Sequence, residues 1–419
     1  MTEMKILTAR FDIINPMSIE EYINKDGYKM LEKSYTMTPK DIIEEIKISR
    51  LSGRGGAGFP MHYKLDSLSK QTGEKYIICN ADEGEPGNFK DRHLMEKDPH
   101  QIIEGMAITA YATGATKGFI YIRGEYSASI DIMKWTIEEA RRKGFIGNNS
   151  KINNFDIEVR SGAGAYICGE EFALIESIEG KPGRTRVKPP FPTEKGVFGK
   201  PTLINNVETL VNVPFILKVG GNEFSKIGNS ISTGTKLISL SGNVKNKGMF
   251  EVPYGTTIKE IIYDLGKGPI DGQKIKMVQL SGSSGPIIPV ELLDMEIDND
   301  SFDGFSGKIG AGAIIVIDDR FDMFTILLKT IEFFKHESCG KCTPCRDGHV
   351  QLVSLLHKFS NYEATIKDLK SLESLANVMS ETSLCGLGQT SPTSILTTLK
   401  YFNDEYLIRL GNYNISEVR

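Results

Sequence analysis

The sequence predicts a mixed α/β protein with a helical carboxyl-terminal part. Three observations predict it. Between residues 76 and 181 short apolar runs alternate with amphipathic helical patterns, the order expected of a layer of mostly parallel strands. From about residue 234 short strand-like runs flank a single helix, and from about 321 four helical segments follow one another. The expected division is therefore 1–233, 234–319 and 320–419. A chain of 419 residues has ample material for two or three such parts.

"SIEEYINKDGYKMLEKSY" opens with a capping box, Ser18 with Glu21, and reads as one helix. "TPKDIIEEIKIS" has Thr38 as a cap, Pro39 at the first helical position, and Ile42, Ile43 and Ile46 on one face. The glycine loop "SGRGGAGFP" (52–60) comes next. Its Gly53, Gly55 and Gly58 match G-x-G-x-x-G, but that fingerprint requires a preceding strand, and here a helix precedes. What survives is a run of small residues that lets the backbone approach a flat or anionic ligand, with Arg54 adding positive charge.

"YIICN" reads as a strand running into "ADEGEPG". A helix from Pro99, the strand "GFIYIRG", the helix "SIDIMKWTIEEARRKG" and the strand "FDIEVR" follow. A second glycine loop, "SGAGAYICGEE" (161–171), joins that strand to the helix "EEFALIESIEG", at the carboxyl end of a strand where such folds collect ligands. Residues 181–200 carry six basic residues against one acid, with four prolines, and read as a stiff wall beside a phosphate-bearing ligand. "PTLINNVETLVNV" reads as apolar helix. Residues 234–319 read as strand-strand-helix-strand-strand with a structural or docking role.

Composition excludes some classes. A net charge of −4 argues against a general nucleic-acid binder. No apolar run approaches the roughly 18 residues of a spanning helix, so a soluble, cytoplasmic-side chain is expected, held at any membrane only by a partner. Six cysteines are too few for a disulfide scaffold; Cys79 and Cys168 read as small core residues. The other four are arranged. Cys339, Cys342 and Cys345 form C-x-x-C-x-x-C between the first and second helical segments, and Cys385 lies between the third and fourth. In an up-down-up-down bundle those connections meet at one end. Three-plus-one spacing points to a [4Fe–4S] cluster ahead of a structural zinc site, and with four cysteines neither His336 nor His349 is needed as a ligand. A one-electron cluster and a site for a flat nucleotide on one chain suggest redox chemistry, with flavin dividing a hydride's two electrons.

In order along the chain stand "GRGGAGFP", "CNADEGEPGNFKDR", "GAGAYICGEE", "KPPFP", "NNVET", "ESCGKCTPCRDG" and Cys385-Gly-Leu-Gly. Together they resemble the NADH-oxidising, FMN-carrying subunit of respiratory complex I. The same module serves as the diaphorase subunit of bidirectional and electron-bifurcating hydrogenases and of NAD-linked formate dehydrogenases. The resemblance spans roughly residues 20–410. It implies a Rossmann-like FMN domain, a ubiquitin-like (β-grasp) domain and a four-helix bundle holding one [4Fe–4S] cluster. It implies that Gly53, Arg54, Gly55, Gly56, Lys64, Asn80, Asp82, Gly169, Glu170, Asn205 and Asn206 line FMN. Phe59 and Phe191 would stack on the adenine of NADH. Glu85 would meet the adenosine ribose and favour NADH over NADPH, and Glu83, Tyr166, Glu171 and Lys188 would complete the nicotinamide side. Hydride passes directly between the rings, so no catalytic acid or base is expected; Glu83 and Glu171 only position. Cys339, Cys342, Cys345 and Cys385 would ligate the cluster.

The resemblance also implies partners: a thioredoxin-like [2Fe–2S] subunit and a further iron–sulfur, hydrogenase or dehydrogenase subunit. Three departures stand out. Met61-His62 and Leu65 replace the family's usual T-G and W around Lys64, and Phe172 replaces a threonine, so the pocket rim is expected to differ. Two other readings are weaker: a zinc-stapled, catalytically silent docking protein, and the flavin subunit of a sodium-pumping ferredoxin:NAD complex, which carries two ferredoxin-like cysteine clusters where this chain has one three-plus-one set.

Overall fold

A computed structural model describes residues 3–148, 150, 154–299 and 309–411. The outer ends of the expected first and third parts, and residues 301–308 of the second, lie outside the described residues. Among the described residues nine helices precede residue 220: α1 (Ile19–Asn24), α2 (Lys29–Ser34), α3 (Pro39–Ile48), α4 (Met61–Ser69), α5 (Lys90–Lys97), α6 (Pro99–Thr113), α7 (Ser127–Arg142), α8 (Glu171–Ile178) and α9 (Val207–Val219). Among them run the strands β1 (Tyr76–Ala81), β2 (Lys117–Ile122), β3 (Asp156–Ser161) and β4 (Thr202–Asn206). These form one sheet in the order β3-β2-β1-β4, with every ladder parallel. β1 and β2 are buried along almost their whole length, as strands covered on both faces must be.

Two expectations are corrected. The first helix is two, because Asp26 and Tyr28 take left-handed φ values of 68° and 59°. Between them Gly27 sits against the ring of Tyr22, where a Cβ would lie 2.1 Å from Cδ1. The helix α2 so created is capped from α6: buried Glu104 accepts from the amides of Tyr28, Met30 and Leu31 and from the Tyr22 hydroxyl. Second, "TLINN" is the strand β4, and the helix begins only at Val207. β-branched Thr202 and Ile204 suit the buried pleat, and Asn206 ends it by capping α9 through Glu208 N. The helix α9 crosses α6 closely; a Cβ on Gly105 would lie 2.2 Å from Leu210 O, so only glycine fits.

β5 (Thr235–Gly242), β6 (Gly248–Pro253), β7 (Ile275–Leu280), β8 (Ile287–Pro289) and β9 (Ala313–Asp318) form a second sheet in the order β6-β5-β9-β7-β8. β5 and β9 pair parallel and the other pairs antiparallel. Short β8 is the strand the sequence did not disclose. The chain then turns helical: Met323–Glu337, Thr343–Ser360, Ile366–Thr382 and Thr393–Tyr401 pack around Phe324, Leu327, Leu352, Leu356, Leu372 and Ile395.

Charge, not only apolar surface, joins the two sheets. Lys90 of α5, Glu208 of α9 and Lys236 of β5 are fully buried. Glu208 lies 2.5 Å from Lys236 Nζ and 3.1 Å from Lys90 Nζ, and it accepts from Leu237 N. Lys90 also meets Asp91 at 2.6 Å. A second junction brings three parts together. Glu85, after β1, accepts from Tyr166 Oη, Ser284 Oγ and Ser284 N, while Tyr166 N donates to Glu337 of the first carboxyl-terminal helix.

Candidate functional site

The parallel sheet reverses its winding between β1 and β4, and the crevice beyond the carboxyl ends of those strands is where open α/β sheets take ligands. The first glycine loop closes over it. Gly53 N donates to Phe59 O and Met61 N to Leu51 O, so residues 53–59 form a tight hairpin-like loop between α3 and α4. Gly56 and Gly58 have φ of 143° and 64°, a backbone that glycine adopts without strain. Gly55 lies against Asn206, where a Cβ would stand 2.8 Å from the asparagine Cβ. The second loop joins at Gly169, whose carbonyl accepts from Asn80 Nδ2.

Four charged groups gather at the mouth. Lys64 of α4 reaches Ile204 O at 3.0 Å and Glu171 at 3.6 Å. Lys188 pairs with Glu171 and lies 3.7 Å from Glu170. Burial pushes the Lys64 ammonium down, and Glu171 offsets only part of that. For Glu171 the same burial pushes up, but Lys64 and Lys188 outweigh it and hold the carboxyl below its ordinary range. Glu170 caps α8 through Phe172 N and Ala173 N.

Three buried side-chain atoms here have no hydrogen-bond partner: Asp82 Oδ2, Glu170 Oε1 and Asn205 Nδ2. Unpartnered buried polar atoms are costly and uncommon. Two acceptors and one amide donor, from the residue after β1, from β4 and from the start of α8, suit a planar heterocycle bearing hydroxyls, a ring N–H and carbonyl oxygens. Burial drives the Asp82 carboxyl up to about 7, with Arg123 opposing. Its folded value thus exceeds the unfolded 3.8, so the stability it contributes is full below that value and is lost as pH rises through about 7. Asp82→Asn is therefore expected to flatten the fall in stability of the ligand-free chain between pH 5 and 8, by on the order of 2 kcal/mol. Urea unfolding at the two pH values measures it; an unchanged slope would clear Asp82 of the effect.

The structure gives five of the expected contact residues partners within the protein. Arg54 is fully buried, with its guanidinium on Ser52, Tyr254 and Thr233 O, its amide on Thr209 and its carbonyl on Lys236. Its charge serves the junction with the second sheet, because the loop's bend turns the side chain away from the crevice. Glu83 caps α5 through Asp91 N and Arg92 N, and burial raises its carboxyl to about 7. Glu85 is enclosed by Tyr166 and Ser284, with burial raising it to about 6, and Tyr166 commits its hydroxyl to Glu85. Glu85 and Tyr166 thus engage one another, while both residues stay partly exposed. Asn206 is largely engaged too, holding Asp91, Lys90 and the α9 cap.

Phe59 and Phe191 remain half exposed, as flat surfaces available for stacking. The basic loop is more nearly neutral than its composition suggests. Arg186 pairs with Glu176 and Glu179, and Lys181 with Glu179. With Phe172 and Phe198, Arg186, Lys181 and Glu179 line a cleft of about 620 Å³ that contains none of the glycine-loop residues.

The cysteines converge as the bundle topology requires. Cys339, Cys342, Cys345 and Cys385 pack on one apolar cluster with Leu387 and Phe334. The two connections touch: a Cβ on Gly388, three residues after Cys385, would lie 3.0 Å from Cys345 Cβ. Among the described residues no three Cys, His, Asp or Glu gather closely enough for a single ion. Thiolates that each bind a different iron of a cubane stand wider apart than the ligands of one tetrahedral zinc. Burial pushes the Cys345 and Cys385 thiols up to about 11, so without metal they hold their protons. Sequence reasoning set His349 aside, yet it is fully buried one helical turn from Cys345; the i, i+4 spacing was the available signal. Cys79 and Cys168 are core residues, as expected.

Comparison with known proteins is consistent along the chain. Residues 46–215 match the family model described as the Nuo51 FMN-binding domain, and residues 325–409 that of the NADH-ubiquinone oxidoreductase-F iron-sulfur binding region. The F subunit of the NADH-quinone oxidoreductase of Aquifex aeolicus is 45% identical, over 97% of this chain and 94% of that protein. The HndC subunit of the NADP-reducing hydrogenase of Solidesulfovibrio fructosivorans is 44% identical, over 96% and 83%. A crystal structure of an NAD+-reducing [NiFe]-hydrogenase superposes with a TM-score of 0.86 at 33% identity, covering 98% of this chain and 68% of that one.

Proposed function

Since this chain belongs to the family of NADH-quinone oxidoreductase F subunits, we propose that it accepts hydride from NADH at the β1/β4 crevice, where it holds FMN, and passes single electrons to a [4Fe–4S] cluster held by Cys339, Cys342, Cys345 and Cys385. It is a flavin- and iron–sulfur-dependent oxidoreductase and one component of a larger complex. The observation that carries the site assignment is the pair of unpartnered atoms Asp82 Oδ2 and Asn205 Nδ2, with Glu170 Oε1 met only by Lys188 at 3.7 Å, around the two glycine loops. Bound FMN supplies the chemistry of taking two electrons together and releasing them singly.

The chain's own residues bind and orient. Gly53, Gly55 and Gly56 keep the loop thin; Lys64 brings a cation to the ends of the strands; Asn80 fixes Gly169 against β1. Phe59 and Phe191 offer aromatic faces to the adenine, while Glu171 and Lys188, paired with one another, border the nicotinamide side. Glu83 positions only through α5. Hydride transfer needs no side-chain acid or base, so the protein's contribution is the alignment of two rings.

The same reading divides the chain at 1–233, 234–319 and 320–419. The middle part is ubiquitin-like, supported by the order β6-β5-β9-β7-β8 with its central parallel pair and the helical segment between β6 and β7. The next electron carriers are a thioredoxin-like [2Fe–2S] subunit and a further iron–sulfur, hydrogenase or dehydrogenase subunit, on the cytoplasmic side. Among the described residues no helix is long and apolar enough to cross a membrane.

The test is an anaerobic titration of the purified chain with NADH and, separately, with NADPH, following flavin absorbance, with iron and acid-labile sulfide assayed on the same sample. Bleaching by NADH, with about four irons per chain, is the expected result. Zinc in a colourless protein would overturn the reading. Glu85 is engaged by Tyr166 and Ser284 in the ligand-free chain, and the paired titrations measure the preference between the two nucleotides directly.

A further inference from the structure

His349 is fully buried on the helix Thr343–Ser360, four residues after Cys345. Its Nδ1 lies 3.6 Å from Cys345 Sγ, its Nε2 lies 2.7 Å from Ser391 Oγ, and its ring is parallel to Phe334, with centroids 6.2 Å apart. A neutral imidazole has one ring proton, and Ser391 decides where it sits. The Ser391 hydroxyl has two acceptors in reach, the ring at 2.7 Å and Gly388 O at 3.3 Å. Where the Ser391 hydroxyl donates to Nε2, the ring's own proton is on Nδ1, facing sulfur. A metal-bound thiolate has no proton and presents only lone pairs, which selects the same tautomer. Ser338 Oγ, 3.2 Å from Cys345 Sγ, is a second donor to that atom.

We propose that His349 donates an Nδ1–H···S hydrogen bond to the Cys345 thiolate and so raises the reduction potential of the cluster, with Ser391 as the positioning residue that fixes the tautomer. The inference rests on Cys345 being a cluster ligand. Its physical basis is that reduction adds negative charge shared by the cysteine sulfurs, and a donor aimed at one of them stabilises the reduced cluster more than the oxidised one. Among the four cysteines, Cys345 alone has a buried imidazole within hydrogen-bonding distance in the described residues.

The experiment uses the iron-loaded full chain and three variants, His349→Leu, His349→Gln and Ser391→Ala. The reduced cluster is quantified by electron paramagnetic resonance in a mediated potentiometric titration. In His349→Leu the ratio of reduced to oxidised cluster at a fixed potential is expected to fall about tenfold, equivalent to about 59 mV for one electron. His349→Gln, whose amide N–H reaches the same sulfur, is expected to recover most of the loss, and Ser391→Ala to fall between. An iron-replete His349→Leu with an unmoved potential overturns the proposal. Should that variant not retain iron, Ser391→Ala decides: an unmoved potential there overturns it equally. Iron and sulfide counts on the same samples, with Cys345→Ala alongside, keep this separate from the ligand assignment. If that assignment is wrong, Cys345→Ala retains its iron.

Discussion

Replacing Cys345 with alanine is expected to strip the chain of iron while leaving its flavin chemistry in place. Cys345 stands in the first turn of the helix Thr343–Ser360, nearly fully buried, at the point where the two cysteine-bearing connections meet. Losing one of four thiolates leaves an iron corner with only water or a protonated neighbour to bind, inside an apolar pocket that admits little of either. Iron and acid-labile sulfide should fall from about four per chain to less than one, and the paramagnetic signal of the reduced cluster should vanish. Absorbance bleaching by NADH should persist, because Asp82, Lys64, Glu170 and Asn205 lie on other elements. Cys79→Ala is the control: that thiol is buried on β1 and the variant should keep its iron. Full iron in Cys345→Ala would mean the four cysteines are not the ligand set.

The second large effect is on stability. Glu208→Ala is expected to cost about 3–5 kcal/mol, because it leaves Lys90 and Lys236 buried and facing one another without their shared carboxylate. Already, burial lowers the Lys236 ammonium to about 7, and Glu208 resists that shift. Glu208→Gln keeps a partner for Leu237 N but not the charge, and is expected to cost nearly as much. The double variant Glu208→Leu with Lys236→Met removes a pair together and should recover much of the loss. Urea unfolding of the four proteins measures this. A single variant within 1 kcal/mol of the parent would show that water reaches the site and screens it.

What the sequence disclosed depends on how local the signal is. The cysteine spacing and the two glycine loops were legible because each is written within a few residues. The alternation of strands and helices was legible for the same reason, and the parallel sheet follows from it. β4 was misread because "TLINN" runs without a break into "VETLVNV", and only Asn206's cap marks the boundary. Arg54 stands in the expected motif but its side chain turns to the junction with the second sheet, since a motif fixes where a residue stands and not which way its side chain turns. Lys90, Glu208 and Lys236 left no trace in sequence: they are far apart along the chain, and the packing of the two sheets alone brings them together.

The junction of Glu85 with Tyr166 and Ser284, and of Tyr166 with Glu337, bears on how the molecule moves. Many nucleotide enzymes bend about a hinge to close over their substrate. Here a hinge between the parallel sheet, the second sheet and the bundle would have to break several hydrogen bonds to partly buried carboxylates in one spot. These bonds resist such a bend and tie the distance between the crevice and the cysteines to the packing of the three parts.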